Sequence, residues 1–381
     1  MKRIKSNNII FEGGLFRGYL YYEDGKIVAV TDNELPFDEE LDAGDSFVSA
    51  GFIDIHTHGG GGYPFEGTVD DIVGGVNFHL THGTTSICPT ISAAPIDGMR
   101  RSLGNVKRAM SDERVLSHII GAHLEGPYLS TAQTGAQAGD AITPPKKDDY
   151  VSIVKEYKSA LARWTYAPEN DEGAEFSAYM KDAGIVTSAG HTDATYTDMK
   201  AALDNGCRLV THLYSCTSTV TRKQGFRSLG VIESTFLEDG LTAEIIADGK
   251  HLPPELIRMI YKIKGADGII AVTDSLSLAG TDVKVGRMSS TDFIIEDGVC
   301  KLLDRSAFAG SIATADRLVR VLTKEAGIPL CEAVKMVSEN PAKMMSLSTK
   351  GAIGEGMDAD LVVFDSNINV KAVFVMGQRR L

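Results

Sequence analysis

Gly51-Phe-Ile-Asp-Ile-His56-Thr-His58-Gly-Gly60 sets an apolar, β-branched run directly before two histidines at alternate positions. In an extended strand alternate residues share a face, so His56 and His58 can present two imidazoles to one point, and the glycines from Gly59 to Gly62 let the chain turn sharply away. A barrel strand delivers metal ligands in this way. A lone His-x-His is also common as two polar residues at a strand end, so the other strands decide between the readings.

Seven more strand candidates follow the first, Phe47–Ile55: Thr84–Cys88, Ile119–Leu124, Arg163–Tyr166, Ile185–Ala189, Leu209–Leu213, Ala243–Ala247 and Gly268–Thr273. Amphipathic helices alternate with them. Val69, Ile72, Val73, Val76 and Leu80 keep a helical stripe, as do Tyr196, Met199 and Leu203 before the stop at Gly206. Pro254 opens another helix, and Ser311 is placed to cap one that carries Ala315, Leu318, Val319 and Leu322. Eight strand-helix units predict a (β/α)8 TIM-like barrel over residues 51–345, with an open doubly wound sheet as the other candidate. Residues 281–303, with a turn at Glu296-Asp297-Gly298, read as a hairpin inserted after the eighth strand. The two ends of the chain alternate with period two instead. Gly18–Tyr22 and Lys26–Val30 flank Asp24-Gly25 as a hairpin, and Leu361–Phe364 and Val373–Met376 repeat the style, so residues 1–50 and 346–381 are expected to pair into one small β-sandwich domain.

The 381 residues are 43% hydrophobic and 23% charged, ordinary for a soluble enzyme-sized chain. A formal charge of −13 works against nucleic acid or an anionic membrane as partner, because both reward a positive face. The start of the chain lacks the apolar core of a signal peptide, and no run approaches the roughly 20 apolar residues of a membrane span, so a cytoplasmic location is expected. Five scattered cysteines without Cys-x-x-Cys spacing read as reduced core thiols.

Barrel enzymes build their sites at the C-terminal ends of strands, and five of the predicted ends carry a ligand-type side chain. The first gives His56 and His58, the third Glu125, the fifth His191, the sixth His212 and the eighth Asp274. Taken singly, Glu125 could be a buried acid paired with an arginine, His191 and His212 satisfied core histidines, and Asp274 a helix cap. Packing alone does not place all of them at strand ends. Imidazoles and a carboxylate suit Zn²⁺ or Fe²⁺, which acidifies water, and Asp274 can take a proton from that water and return it to a leaving amine. His79, His82 and His118 lie on or near helices or before a strand and read as structural.

Gly51–His58, His123-Leu-Glu-Gly-Pro-Tyr-Leu-Ser130, Ala167-Pro-Glu169, Ala189-Gly-His191, Thr211-His-Leu-Tyr214, Ile246-Ala-Asp-Gly-Lys-His251, Val272-Thr-Asp274 and Ala309-Gly-Ser311 together resemble the amidohydrolase superfamily, specifically its N-acetylglucosamine-6-phosphate deacetylase family. The resemblance spans nearly the whole chain. It implies deacetylation of N-acetylglucosamine 6-phosphate in amino-sugar catabolism, a metal at Glu125, His191 and His212, a catalytic Asp274, and a second metal engaging His56 and His58. It further implies that His251 touches the substrate, that Arg227 grips the phosphate, and that the protein is a homodimer, with Arg227 acting within its subunit or across the interface. Arg222, Lys223 and Arg227 are also the basic cluster near a strand end in an acidic chain, where a guanidinium suits phosphate; an exposed charged loop is the alternative.

Two departures bear on substrate binding. The family's usual Asn-Ala after the sixth-strand histidine is Ser215-Cys216 here, which places these two residues at the phosphate. A histidine usual in the third loop is Gln137, which can donate one hydrogen bond but cannot be cationic, so carbonyl polarisation falls more heavily on the metal. Competing readings are the galacto epimer as substrate, a cyclic-amide hydrolase, or an inactive binding protein on the same barrel. Cyclic-amide chemistry often uses a fourth-strand lysine where this chain has Ala167-Pro-Glu169, and inactive relatives lose ligands that this chain keeps.

Overall fold

A hairpin opens the chain: strands β1 (Lys2–Phe11) and β2 (Gly14–Glu23) run antiparallel, and Asp24-Gly25 turns the chain into β3 (Lys26–Thr31). Both turn residues have positive φ, 49° and 79°, which a tight turn matched to strand twist requires. β4 (Glu39–Ala50) then returns parallel to β1. The computed structural model describes every residue except Glu12, Ser289 and Ser290. Phe47 does not begin the first barrel strand, as expected from the sequence. Phe47–Ala50 completes β4, and the barrel begins with β5 (Phe52–Thr57). Gly51 forms the joint, because a Cβ there would lie 2.0 Å from Thr85 Oγ1.

From β5 the chain runs through β6 (Thr84–Ile91), β7 (Ala122–Glu125), β8 (Leu161–Tyr166), β9 (Val186–Ala189), β10 (Leu209–Val210), β11 (Thr242–Ile246) and β12 (Ile269–Val272). Neighbours in sequence are neighbours in the sheet, and every pair is parallel. Helices follow in turn: α1 (Val69–Leu80), α2 (Ile96–Ala109), α3 (Lys147–Tyr157), α4 (Glu175–Ala183), α5 (Tyr196–Asp204), α6 (Val231–Leu237), α7 (Pro254–Lys264) and α8 (Ala315–Arg320). Every residue of β5 and β6 is buried, as parallel strands enclosed between the barrel interior and its helices are. The ring closes between β12 and β5 at their C-terminal ends: the Asp274 N–H donates to His56 O at 2.9 Å and the His58 N–H to Ser275 O at 2.8 Å. The fold is a (β/α)8 barrel.

Three sequence expectations are corrected. The third strand is divided, because His118–Ile119 pairs with β6 by itself and Gly121, at φ 144°, sets off β7. Ser311 does not cap α8; Thr314 stands at the cap position, while Ser311 accepts from the Ala313 N–H and donates to Thr273 O. The insertion after β12 is a four-stranded sheet rather than a hairpin: β13 (Val285–Met288), β14 (Thr291–Glu296), β15 (Val299–Leu302) and β16 (Phe308–Gly310). Ser289 and Ser290 of that insertion lie outside the described residues.

β17 (Leu361–Phe364), β18 (Val370–Val375) and β19 (Gln378–Arg379) join the first strands in one sheet ordered β19-β18-β17-β4-β1-β2-β3. In a flat sheet β2 and β18, four places apart, would be about 19 Å from each other at the usual strand spacing. The Tyr22 and Phe374 rings are 5.9 Å apart, so the sheet curls onto itself around Ile4, Leu20, Val48, Leu361 and Phe374. Within the barrel, Trp164 of β8 stacks on Tyr128, meets Phe176 edge-on, and donates its indole N–H to Gly126 O at 2.8 Å. That packing fixes the backbone immediately after Glu125.

Candidate active site

Six ligand-type side chains meet at the C-terminal mouth of the barrel. Glu125 Oε1 lies 3.1 Å from His191 Nε2, 3.0 Å from His212 Nε2 and 3.4 Å from His56 Nε2, and Glu125 Oε2 lies 3.2 Å from His58 Nε2. Asp274 Oδ1 faces the same two histidines, 3.3 Å from His58 Nε2 and 3.5 Å from His56 Nε2. His191, His212 and Asp274 all have left-handed backbone, with φ of 47°, 29° and 46°. Non-glycine residues adopt that region at a cost of roughly 1–3 kcal/mol, and here it turns each side chain from its strand end into the mouth.

The donor atoms form two triads, His56-His58-Glu125 and Glu125-His191-His212, each with its ligand atoms within 4.8 Å of one another. Both suit a divalent cation. His56 Nε2 is buried with no hydrogen-bond partner, a costly condition that a ligand would relieve. The far nitrogens are anchored. His191 Nδ1 meets Gln133 O at 2.9 Å, His212 Nδ1 meets Ser215 O at 3.1 Å, His58 Nδ1 meets Ser92 Oγ at 3.1 Å and His56 Nδ1 meets Glu244 Oε1 at 2.8 Å. A carbonyl can only accept, so it keeps a proton on Nδ1 and leaves Nε2 as the nitrogen that a cation would take, once any proton there is displaced.

Charge in the site balances through protons. Burial by itself would push the Glu125 carboxyl up, but the neighbouring His56 charge and hydrogen bonds from His191 and His212 hold it well below its usual range. Burial would likewise lower the imidazoles; it is outweighed by Glu125, Asp274 and Glu244, which raise His56 to about 10, and by Asp274 and Glu125, which raise His58 to about 9. Both therefore carry protons near neutral pH that a cation must displace. Loading metal-free protein with Zn²⁺ at about pH 7.5 is expected to release at least one proton per cation, and the affinity is expected to fall as pH drops from about 8 to about 6. Calorimetry in buffers of different ionisation enthalpy measures this, and binding without proton release would contradict the assignment of these imidazoles as ligands.

A cavity of about 270 Å³ opens over the two triads and is walled by His251, Phe308, Tyr214, Ser215 and Cys216. His251 is oriented by Asp248, whose Oδ2 takes its Nδ1 at 2.8 Å, and its ring lies 5.0 Å from that of Phe308. Gln137 also reaches the cavity, but its amide donates to Glu125 Oε2 at 2.7 Å and its oxygen accepts from the Ala93 N–H at 2.8 Å, so here it steadies the Glu125 carboxylate instead of presenting a free donor. Cys216 differs from the other expected core thiols in lining the cavity. Arg227 does not line it: it stands on an exposed hairpin, Thr221–Lys223 with Phe226–Ser228, and donates to Gly225 O. His79 is structural, tying α1 to Gly59 O at 2.9 Å, and His82 pairs with Asp316.

Four participants went unnoticed in the sequence: Arg163, Glu244, Asp248 and Phe308. The first two carried a signal, since each is a charge in the middle of an apolar strand. Both are completely buried, with Arg163 Nη1 2.5 Å from Glu244 Oε2. Burying an ion costs several kcal/mol unless its hydrogen bonds are met. Here they are, because Arg163 also donates to Ile55 O, Ser188 Oγ and Thr211 Oγ1.

Residues 47–380 match the family model described as "Amidohydrolase family". An N-acetylglucosamine-6-phosphate deacetylase of Lysinibacillus sphaericus is 31% identical over 95% of this chain and 93% of its own length. One from Bacillus subtilis (strain 168) is 30% identical over 98% of this chain and 96% of its own. Among solved structures, a variant N-acetyl-D-glucosamine-6-phosphate deacetylase of Mycobacterium smegmatis in complex with N-acetyl-D-glucosamine-6-phosphate superposes with a TM-score of 0.92 at 29% identity, covering 99% of this chain and 98% of that one. With the ligand-bearing strand ends of the barrel in place, these matches show that the chain belongs to the amidohydrolase family, among the N-acetylglucosamine-6-phosphate deacetylases.

Proposed function

We propose that the protein hydrolyses the acetamide of N-acetylglucosamine 6-phosphate, giving acetate and glucosamine 6-phosphate. The observation that carries this reading is Asp274, placed beside the two ligand triads and at the floor of a cavity sized for one small polar ligand. Glu125, His191 and His212 would hold a zinc or iron ion, with His56 and His58 for a second; such an ion supplies a Lewis acid for the acetyl oxygen and acidifies water. Asp274 Oδ1 takes the proton from water as it adds to the acetyl carbon, then passes it to the sugar nitrogen as the C–N bond breaks. His251, held by Asp248, contacts the sugar.

The phosphate is assigned to Ser215, Cys216 and Arg227. Because Arg227 stands on a hairpin beside Phe226, which is 80% exposed, we take the hairpin to reach a second subunit of a homodimer and to place Arg227 at the partner's cavity. No helix among the described residues is long and apolar enough to cross a membrane, and we assign the enzyme to the cytoplasm. Residues 51–345 are taken as the catalytic domain, with 1–50 and 346–381 as a second, β domain.

Acetate release from N-acetylglucosamine 6-phosphate, its galacto epimer and unphosphorylated N-acetylglucosamine tests the assignment, with metal content measured on the same sample. The first substrate should be turned over most efficiently, and Arg227→Gln should raise its KM about tenfold, the worth of one charge-assisted contact, with kcat retained. Equal efficiency with and without the phosphate would remove Arg227 from this role.

A further inference from the structure

Arg163 and Glu244 are fully buried beneath the ligands and do not line the cavity, so neither can touch a substrate there. Their contacts point to the ligands instead. Glu244 Oε1 takes His56 Nδ1 at 2.8 Å and the His212 backbone N–H at 3.2 Å, while Glu244 Oε2 takes Arg163. Arg163 is fixed in turn by Ile55 O at 3.1 Å, Ser188 Oγ at 3.1 Å and Thr211 Oγ1 at 2.9 Å. The pair thus ties β8, where Arg163 sits, to β5, β9, the end of β10 and β11.

The four ligand imidazoles are not held alike. His191 and His212 rest on neutral carbonyls, and His58 on the Ser92 hydroxyl, which can donate as well as accept and so leaves the tautomer open. His56 alone has a carboxylate behind it. A carboxylate acceptor orients the ring, fixes the proton on Nδ1 and makes Nε2 a stronger donor to a cation. That Nε2 is also buried without a hydrogen-bond partner. In the triad His56-His58-Glu125, the ligand whose readiness is built in is therefore His56.

We propose that Glu244, held by Arg163, is a positioning residue that makes His56 a ligand and so decides whether a second cation binds beside the one at Glu125, His191 and His212. This rests on the reading of the site as a metal centre, and its test uses no sugar. Metal-free parent, Glu244→Gln and the double variant Arg163→Gln/Glu244→Gln are titrated with Zn²⁺ against a competing chelator. Melting of each metal-free protein is recorded alongside. The double variant removes both buried charges together and guards against a single variant that fails to fold with an unpaired arginine. His56→Asn serves as the direct-ligand control.

The parent is expected to bind two cations per chain. Both Glu244 variants should keep the first affinity and weaken the second by about 10–100-fold, the usual effect of removing a partner behind a ligating histidine. Folded variants that bind the second cation as tightly as the parent would overturn the proposal, and so would a parent that saturates at one. Loss of the fold in both variants would overturn it too, by assigning the pair to the core. A parent that binds no cation would refute the metal-centre reading itself. One that binds two through Glu244 but releases no acetate would refute the deacetylase reading and leave this inference intact.

Discussion

Asp274→Asn is expected to lower acetate release by about 10³-fold while metal content and melting temperature stay near those of the parent. Asparagine keeps the shape of the side chain but cannot accept a proton. General acid-base transfer is worth roughly 10²–10⁴ in rate, and Asp274 is placed to serve both halves of the reaction, which puts the loss well above the lower end of that range. The backbone should not move. The Asp274 N–H is held by His56 O, its carbonyl accepts from the Ser311 N–H at 2.8 Å, and neither bond involves the side chain. The fold is also insulated from the charge change, because the carboxylate faces His56 and His58 and, among the described residues, no arginine or lysine pairs with it. Metal analysis and a melting curve on the assayed sample separate lost chemistry from lost structure. Turnover within tenfold of the parent would sink the assignment of Asp274 as proton carrier.

The second large effect is expected at Glu125. Its carboxylate belongs to both triads, with Oε1 toward His191 and His212 and Oε2 toward His58, so one substitution reaches both metal positions. Glu125→Gln keeps the volume but removes the charge that gathers four imidazoles, and its NH₂ cannot coordinate. Metal content should fall to a small fraction of one ion per chain, and acetate release by at least about 10³-fold, because a Lewis acid and an acidified water are lost together. Excess Zn²⁺ should restore activity only in part. The protein should remain folded, since Trp164, Tyr128 and Phe176 pack the adjacent backbone independently of that carboxylate. A glutamine variant that retains both its metal and its turnover would refute the shared-ligand role.

The ligand-type side chains were legible in the sequence for a definite physical reason. Buried parallel strands are nearly all apolar, so a histidine or acid at the end of a run stands out, and five of eight ends carried one. The β5 start was not legible, because Phe47–Ala50 and Phe52–Ile55 share one apolar pattern and only the crowding against Thr85 requires Gly51 to break it. Arg163 and Glu244 showed as charges inside strands, but their meeting depends on barrel closure across 81 positions of sequence, which no local pattern encodes. The left-handed backbone at His191, His212 and Asp274 was hidden likewise, since such conformations are normally signalled by glycine. Arg227 was read from the family resemblance and from charge, and neither says which way a hairpin points.

The curled sheet has a consequence for how the chain folds during synthesis. β4 has β1 on one side and β17 on the other, the latter pairing Ala50 with Leu361 and Phe47 with Phe364. Translation at about 5–20 residues per second leaves the apolar edge Phe47–Ala50 without its partner for some tens of seconds. An unpaired strand edge is a template for association with another chain. The barrel can form as its strands emerge in order, whereas the sheet at its side must wait until β17 and β18 have emerged. The vulnerable species in the life of this protein is thus the nascent chain with a finished barrel and an open β4.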